Sequence, residues 1–295
     1  MNNLIKIIKK KSIRLFKIIK STSSRFKRKF RTDFYKILPY KDGINRKARE
    51  KKIIVSLTSY PRRFYAAHIA IKSMLYQTCK ADEIILYLNE EVKDIEIPEE
   101  LKNLKKYGLQ IEYRPHDIKP HKKYYYAMLE HPNDIIITID DDVIYENTLI
   151  EKLYNSYKKY PTCVSAKRVH RMKKNKKYKE WEGEVSNLFE PSHSLISTGV
   201  GGVLYPPSIL PKETFDIEKI TKYCLGADDI WLKFMELKSD IKVVYVEGKR
   251  IHPLPIWNVQ AEGLVQENVE NEKNDIYIKN LEEIFNIKIN DFCDY

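Results

Sequence analysis

The chain has 295 residues, 43% of them hydrophobic and 12% aromatic, which is enough for one large domain or two small ones with a sizeable core. Its net charge of +12 is uneven, because residues 1–50 hold 17 Lys and Arg against three acidic residues, whereas residues 51–295 hold 36 basic and 38 acidic residues. A nucleic-acid-binding domain would carry its own basic face, so no nucleic-acid partner is predicted.

Residues 3–20 predict a basic amphipathic helix, with Leu and Ile on one face and Lys and Arg on the other. The segment lacks the roughly 20 consecutive apolar residues of a membrane-spanning helix. It also lacks the uninterrupted apolar region and cleavage site of a secretory signal. Together with the basic stretch 25–31, it predicts contact of residues 1–31 with an anionic membrane surface. The alternative is a helix packed on the core or on a partner protein.

Strands and helices alternate between residues 51 and 139. The predicted strands are 51–58, 82–88, 109–113 and 135–139, and the predicted helices are 64–77, 98–106 and 120–131. This alternation with short connections predicts a parallel, doubly wound sheet. Neither GxGxxG nor GxxxxGK[ST] occurs, so bound phosphates would be held by a metal ion and by cationic side chains.

Three consecutive aspartates, Asp140, Asp141 and Asp142, follow the fourth predicted strand, in which four of the five residues are isoleucine. Such a strand is expected to be buried on both faces, and its carboxyl end is where open α/β sheets bind ligands. Three adjacent carboxylates repel one another unless a cation lies among them, and Mg²⁺ or Mn²⁺ bridging to substrate phosphates suits these ligands. The alternative is a solvated acidic turn.

The second half of the chain is less regular. The predicted helices are 147–159, 227–237 and 272–285, the predicted strands are 162–168 and 241–246, and residues 171–179 form a basic loop. Between them, residues 197–205 are rich in glycine, which either lets the backbone approach a ligand or forms a bulge. The cysteines are widely separated, which predicts reduced thiols in a cytoplasmic protein; they are Cys79, Cys163, Cys224 and Cys293.

Taken in order, several segments resemble bacterial glycosyltransferases of the GT-A fold, family 2-like, of the surface-polysaccharide type. The segments are SLTSYPRR (56–63), KPHKKYYYAM (119–128), IDDDVIY (139–145), TGVGGVLYPP (198–207) and GADDIWL (226–232), within a region of about 51–257. The resemblance implies an α/β, GT-A-like, doubly wound and mostly parallel sheet flanked by helices. It implies a basic arm and linker over residues 1–50 and one catalytic domain over 51–295. Residues 51–145 would bind the nucleotide sugar, and residues 146–295 would hold the acceptor and catalytic groups.

The resemblance also implies a DxD motif formed by Asp140 and Asp142, which binds a divalent metal, Mn²⁺ or Mg²⁺, on the donor diphosphate. Asp142 is predicted as the metal ligand, and Asp140 as a metal ligand nearer the ribose. His252 would be a late histidine on the metal, or else an ordinary loop histidine.

Donor binding is expected from the residues after the first strands. Arg62 would help to hold phosphate, unless it belongs to a solvated turn. Lys123 would offset diphosphate charge, and Asn89 stands where related enzymes often carry an aspartate on the base. The full set of predicted donor-binding residues is Thr58, Ser59, Tyr60, Arg62, Asn89, Asp117, Lys123, Asp140, Asp141, Gly201 and Gly202.

Asp228 and Asp229 match the acidic pair that supplies the catalytic base in inverting members. Direct displacement at the anomeric carbon requires a carboxylate to take the proton of the acceptor hydroxyl. Asp229 is predicted as that base, with Asp228 as the second choice. The alternative role is a cap at a helix N-terminus, where aspartate is favoured.

The sequence therefore predicts a metal-dependent, inverting glycosyltransferase in bacterial surface-glycan biosynthesis, peripheral on the inner face of the plasma membrane. A UDP-sugar is the favoured donor, and a glycan or lipid-linked molecule is the acceptor. The alternatives are a retaining glycosyltransferase of the same fold, a nucleotidyltransferase or metal-dependent phosphohydrolase, and a non-enzymatic membrane adaptor built on the basic arm.

Overall fold

The computed structural model describes residues 25–247, 254–259 and 272–293. The predicted helix 3–20 and His252 lie outside these residues. The helices are α1 (25–37), α2 (Phe64–Leu75), α3 (Glu99–Asn103), α4 (Lys122–Glu130), α5 (Leu149–Lys159), α6 (Ile217–Tyr223), α7 (Asp228–Lys238) and α8 (Lys273–Phe285). The strands are β1 (Ile53–Thr58), β2 (Glu83–Asn89), β3 (Leu109–Arg114), β4 (Ile135–Thr138), β5 (Val143–Ile144), β6 (Val164–Ala166), β7 (Val169–Arg171), β8 (Leu195–Ser197), β9 (Val203–Tyr205), β10 (Val243–Tyr245) and β11 (Leu254–Pro255).

One sheet of seven strands, in the order β10-β6-β9-β4-β1-β2-β3, runs through the molecule. The pairs β1–β2, β1–β4, β2–β3 and β6–β10 are parallel, whereas β9 is antiparallel to both β4 and β6. The predicted fold class, a mostly parallel sheet flanked by helices, is confirmed. The glycine-rich segment supplies the antiparallel strand, which lies in the middle of the sheet.

Both faces of the sheet are covered, because successive residues of β1 point to opposite sides and those from Ile53 to Leu57 are buried. Val55 packs in a cluster with Ala67 and Ile71 of α2 and with Leu153 of α5. Ile54 packs on the other face with Tyr126 and Ala127 of α4. The mainly apolar sequences of β1 and β4 follow from this double burial.

The polar side chains that follow the central parallel strands lie at one edge of the sheet. The parallel strands β1, β2 and β4 end there, and Ser59, Asn89 and Asp140 follow or close them. Because β9 runs antiparallel, with Val203 opposite Thr138, its preceding glycines reach the same edge. The N-terminus of α7 also lies there, since the Gly199 N–H donates to Asp229.

Residues 25–50, predicted as part of an arm and linker, pack against the domain. Tyr35 of α1 is buried with Ala70 of α2 and Ile144 of β5. Ile44 forms a bridge with Ala81 at the start of the second βα unit. The boundary predicted at residue 50 therefore does not separate a detached segment from the core. Among the helices of the described residues, none is long and apolar enough to cross a membrane.

Candidate active site

Five carboxylates from two segments meet at the carboxyl edge of the sheet. Asp140, Asp141 and Asp142 follow β4, and Asp228 and Asp229 open α7. The five differ in exposure: Asp141 and Asp228 are buried, whereas Asp140, Asp142 and Asp229 are partly open to solvent. The buried pair is therefore suited to holding neighbouring groups, and the open three are suited to contacting a ligand.

Asp141 connects the segment that follows β4 to the turn that follows β1. Its Oδ2 accepts a hydrogen bond from Ser59 Oγ at 2.5 Å, and its Oδ1 accepts one from Arg63 at 3.0 Å. The same guanidinium nitrogen donates to Asp142 Oδ2 at 3.0 Å. Burial, opposed by the Arg63 charge, raises the pKa of Asp141 to about 6. Arg63 thus ties the turn after β1 to the two aspartates that follow β4.

Lys123, at the start of α4, connects the two acidic segments. Its Nζ lies 2.7 Å from Asp140 Oδ1 and 2.9 Å from Asp228 Oδ2. Burial opposes the charge on Lys123, but Asp140, Asp228 and Asp229 outweigh it and raise the pKa of Lys123 well above its ordinary value. Ser56 Oγ of β1 donates to the Lys123 carbonyl, which fixes this end of α4 against the sheet. Lys123 therefore remains charged and neutralises part of the acidic cluster.

We expect Lys123→Met to destabilise the fold by about 3–5 kcal/mol, because it leaves the buried Asp228 carboxylate without its cation. The matched control is Lys122→Met. Lys122 pairs with Asp117, which is partly exposed, so its loss should cost far less. Urea unfolding of both variants measures the difference. Equal and small losses for the two substitutions would contradict the bridging role of Lys123.

Asp228 and Asp229 occupy different environments on the first turn of α7. Burial opposes ionisation of Asp228, but Lys123 and His121 outweigh it and lower the pKa of Asp228. Burial and the Asp228 charge raise the pKa of Asp229 to about 8. Paired carboxylates with such opposed shifts mark acid–base sites, and a base works best with a pKa near the working pH.

Neither aspartate of the acidic pair is the N-cap residue of α7, although both lie in its first turn, where the helix dipole favours acidic side chains. The N-cap of α7 is Ala227, which has no side-chain cap bond, and the two aspartates lie inside the first turn. Asp229 instead accepts a hydrogen bond from the backbone of Gly199 at 2.9 Å. Asp229 is therefore oriented by the glycine-rich segment and remains partly open to solvent.

Gly199 faces the middle of the cluster. A Cβ at this position would lie 2.6 Å from Lys123 Nζ, 3.3 Å from Asp229 Oδ1 and 3.4 Å from Asp140 Oδ1. Gly201 and Gly202, the two glycines predicted to bind the donor, are constrained by packing: the first lies against Arg168, and the second has φ +90° and lies against Leu149. Gly199 is thus the glycine of this segment that the acidic cluster requires.

The other predicted donor-binding residues lie at several places on the same edge or near it. Thr58 donates to the Tyr87 carbonyl, and Tyr60 is exposed beside Arg63. Arg62 is exposed. Asn89 caps the turn after β2 by accepting from the Glu91 N–H.

Asp117 lies apart from the acidic cluster in the structure. It pairs with Lys119 and Lys122, which lower its pKa to about 2 against the effect of burial. It also lines a cleft of about 470 Å³ between the β3–α4 connection and α6. None of the five clustered aspartates lines this cleft, so a donor role for Asp117 stays a prediction.

Sequence reasoning missed three residues that build the site. Arg63, the neighbour of the predicted Arg62, contacts Asp141 and Asp142. Gly199 supports Asp229, and buried Tyr145 accepts the Asp140 N–H at 2.7 Å through its hydroxyl. All three residues lie in segments that resemble the family, namely SYPRR, TGVGG and DDDVIY. The sequence does not show which of two adjacent residues in such a segment points toward the site.

Asp140 and Asp142 are chemically suited to a divalent cation. Burial and the neighbouring Asp140 charge raise the pKa of Asp142, although Arg63 opposes them, so negative charge here is only partly compensated. Within the described ranges, no group of three or more His, Cys, Asp or Glu could hold a metal ion. Mg²⁺ is commonly held by one or two carboxylates together with substrate phosphates, which needs no third protein ligand. His252 lies outside the described residues.

Comparison with known proteins bears on the fold and the family. Residues 66–205 match the family model described as glycosyl transferase family 2. Among solved structures, the mannosyltransferase PcManGT from Pyrobaculum calidifontis, in complex with GDP-Man and Mn²⁺, is similar at 9% identity and a TM-score of 0.52, over 90% of this chain and 73% of that one. A 4-diphosphocytidyl-2C-methyl-D-erythritol synthase from Anaerococcus prevotii DSM 20548 is similar at 16% identity and a TM-score of 0.47, over 75% and 99% of the two chains.

No curated protein matches the chain. The family match over residues 66–205 confirms the resemblance to family 2 glycosyltransferases, and the likeness to the mannosyltransferase supports the GT-A-like fold. The matched region contains Lys123, the three aspartates after β4, and the glycine-rich segment. Asp228 and Asp229 follow it.

Proposed function

We propose that this chain, whose residues 66–205 carry the family 2 glycosyltransferase region, is a metal-dependent inverting glycosyltransferase of bacterial surface-glycan biosynthesis. It would transfer a sugar from a nucleotide sugar, with a UDP-sugar favoured, to a glycan or lipid-linked acceptor. The observation that carries the proposal is the meeting of two acidic segments around Lys123, one suited to a metal and one holding a carboxylate of raised pKa.

Asp229 is the proposed base. Its carboxylate is partly exposed, its orientation is fixed by the Gly199 N–H, and its pKa of about 8 favours proton uptake from an acceptor hydroxyl. Asp228 already forms an ion pair with Lys123, and its lowered pKa makes it a poorer proton acceptor than Asp229. A single positioned base suits direct displacement at the anomeric carbon, which inverts its configuration.

Asp142 and Asp140 would hold Mn²⁺ or Mg²⁺, with His252 as a further candidate ligand. Such a metal supplies charge stabilisation for the leaving diphosphate. The protein's own contribution is positioning: Arg63 orients Asp142, Lys123 orients Asp140, and the Tyr145 hydroxyl fixes the backbone between β4 and Asp140. The remaining predicted donor-binding residues belong to this proposal at the positions described above, with Asp141 acting by holding Ser59 and Arg63 and not by touching the donor.

We place the enzyme in the cytoplasm, peripheral on the inner face of the plasma membrane, with residues 1–31 in contact with anionic lipid. Residues 1–50 carry 17 Lys and Arg against three acidic residues, which supports attraction to such a surface. Confinement to the membrane would raise the local concentration of a lipid-linked acceptor.

The test is release of nucleotide from a panel of sugar nucleotides by the full chain with Mn²⁺ or Mg²⁺: a nucleoside diphosphate from UDP- and GDP-sugars, and CMP from CMP-sugars. We expect one donor to be hydrolysed slowly without acceptor, and EDTA to abolish the release. Turnover of nucleoside triphosphates with no use of sugar nucleotides would favour a nucleotidyltransferase or phosphohydrolase instead. If the chain neither turns over any nucleotide nor binds one in a metal-dependent way, the non-enzymatic membrane adaptor would be favoured.

A further inference from the structure

The outward face of α1 carries four large apolar side chains that are exposed to solvent. Phe26, Phe30, Phe34 and Ile37 are 70%, 66%, 45% and 81% exposed. At about 100° per residue, these positions fall within about 80° of the helix circumference. We call them the aromatic stripe. Scattered exposed apolar residues need no explanation, but a continuous row of this kind marks an interaction surface.

Lysines flank the aromatic stripe. Lys27 lies on one side, Lys29 and Lys36 lie on the other, and all three are exposed. Residues 25–37 hold six Lys and Arg against one acidic residue, Asp33. Aromatic side chains bordered by lysines match the two layers of an anionic bilayer surface, with acyl chains below and charged headgroups above.

The opposite face of α1 is fixed to the domain, so the stripe cannot move independently of it. Thr32 and Tyr35 are buried. The Arg28 guanidinium donates to the carbonyls of Pro255 and Ile256, each at 3.4 Å. The helix therefore presents the stripe outward in one orientation.

Two adjacent residues connect this helix to the site. The Trp257 N–H donates to Thr32 Oγ1 at 2.9 Å, and the Ile256 N–H donates to the Asp142 carbonyl at 2.8 Å. Strand β11, just before them, pairs with β5, which begins immediately after Asp142. The helix and the proposed metal loop are thus parts of one hydrogen-bonded unit.

We propose that the aromatic stripe inserts into the interfacial layer of an anionic lipid bilayer and holds the domain there with the site in a fixed orientation. This extends the electrostatic contact proposed for residues 1–31 to an apolar insertion by residues 26–37. It rests on the proposed function only for its purpose, which is to present the site to a lipid-linked acceptor. Lipid binding itself requires no catalysis.

The test measures co-sedimentation of the full chain with vesicles of phosphatidylcholine containing about one-third phosphatidylglycerol, an anionic fraction in the range that attracts basic surfaces. We expect Phe26→Ser/Phe30→Ser/Phe34→Ser to weaken binding about tenfold or more, since three aromatic insertions are lost. The matched control is Ile95→Ser/Leu129→Ser/Ile276→Ser, which removes three exposed apolar side chains elsewhere and should bind as the wild type does.

A second measurement reports insertion directly. A Phe30→Trp variant should show fluorescence quenching by brominated acyl chains beyond that of the wild type. Equal binding by the stripe variant, or no added quenching at position 30, would overturn the proposal. So would a dimer in solution that the stripe substitutions dissociate, because the stripe would then cover a second copy. Asp142→Ala should bind vesicles as the wild type does, so loss of transfer and loss of lipid binding are distinguishable.

Discussion

We expect Asp229→Asn to lower kcat for sugar transfer by about 10²- to 10⁴-fold, the usual contribution of a positioned general base. The asparagine can still accept the Gly199 N–H that orients this side chain, so the geometry survives while the proton acceptor is lost. Donor binding should change little, because Asp229 acts on the acceptor hydroxyl. Transfer kinetics with the donor identified by the hydrolysis panel would measure the effect.

The pH dependence of kcat/KM also tests Asp229 as the general base. Only the ionised carboxylate can take a proton, and burial together with the Asp228 charge raises the pKa of Asp229 to about 8. The ionised fraction therefore grows as pH rises through that value. We expect kcat/KM of the wild type to climb about tenfold per pH unit below it, as for a single essential base, and the rise to be absent in Asp229→Asn.

The pH dependence of stability distinguishes loss of the base in Asp229→Asn from a folding defect in that variant. The folded state keeps a proton on Asp229 between the ordinary carboxyl pKa of 3.8 and about 8, whereas the unfolded chain releases it. Stability therefore falls as pH rises through this window. Asparagine has no proton to lose, so Asp229→Asn should gain in melting temperature relative to the wild type as pH rises from 4 to 9.

Two controls complete the comparison. Asp94→Asn, an exposed aspartate outside the site, should leave kcat and stability unchanged. Asp228→Asn tests the second choice for the base. If Asp228→Asn loses transfer while Asp229→Asn retains most of it, the base assignment reverses.

The sheet was readable from sequence where burial dictates residue type. An isoleucine run before Asp140 predicted a strand buried on both faces, and β4 is that strand. The antiparallel β9 was not predicted. It has three residues, and it follows two glycines, so its own sequence carries too little periodicity to indicate pairing. Its position depends on partners β4 and β6, which lie far away in the chain.

The site was readable in its residue types but less so in its contacts. Adjacent arginines follow Pro61, and the tight turn that Pro61 opens exposes Arg62 and directs Arg63 to Asp141. Lys123 was predicted to offset substrate charge, yet its ion pairs join two acidic segments distant in sequence. Such contacts are set by tertiary packing. The aromatic stripe, in contrast, has spacings of four, four and three residues, and this helical pattern could have been read directly from the sequence.

We expect Asp142→Ala to weaken metal-dependent binding of the donor's nucleoside diphosphate by about 100-fold or more, and to lower the transfer rate correspondingly. Removal of groups that merely orient a metal ligand already costs about 10- to 100-fold, so loss of a ligand should cost at least the upper figure. Calorimetric titration of nucleoside diphosphate with Mn²⁺, and again with EDTA, measures the loss. The variant should bind as weakly with Mn²⁺ as the wild type does with EDTA.

Asp141→Asn is the matched control, because it changes the adjacent aspartate whose role differs. Asp141 is buried and occupied by Ser59 and Arg63, so its loss should lower the free energy of unfolding by about 1–3 kcal/mol, as for a buried hydrogen-bond partner. Asp142 keeps its own Arg63 contact in that variant, so metal-dependent binding should stay within a few-fold. Equal loss of metal binding in both variants would place the metal on the whole aspartate loop instead of on Asp142. Undiminished binding in Asp142→Ala would remove the metal site from this edge of the sheet.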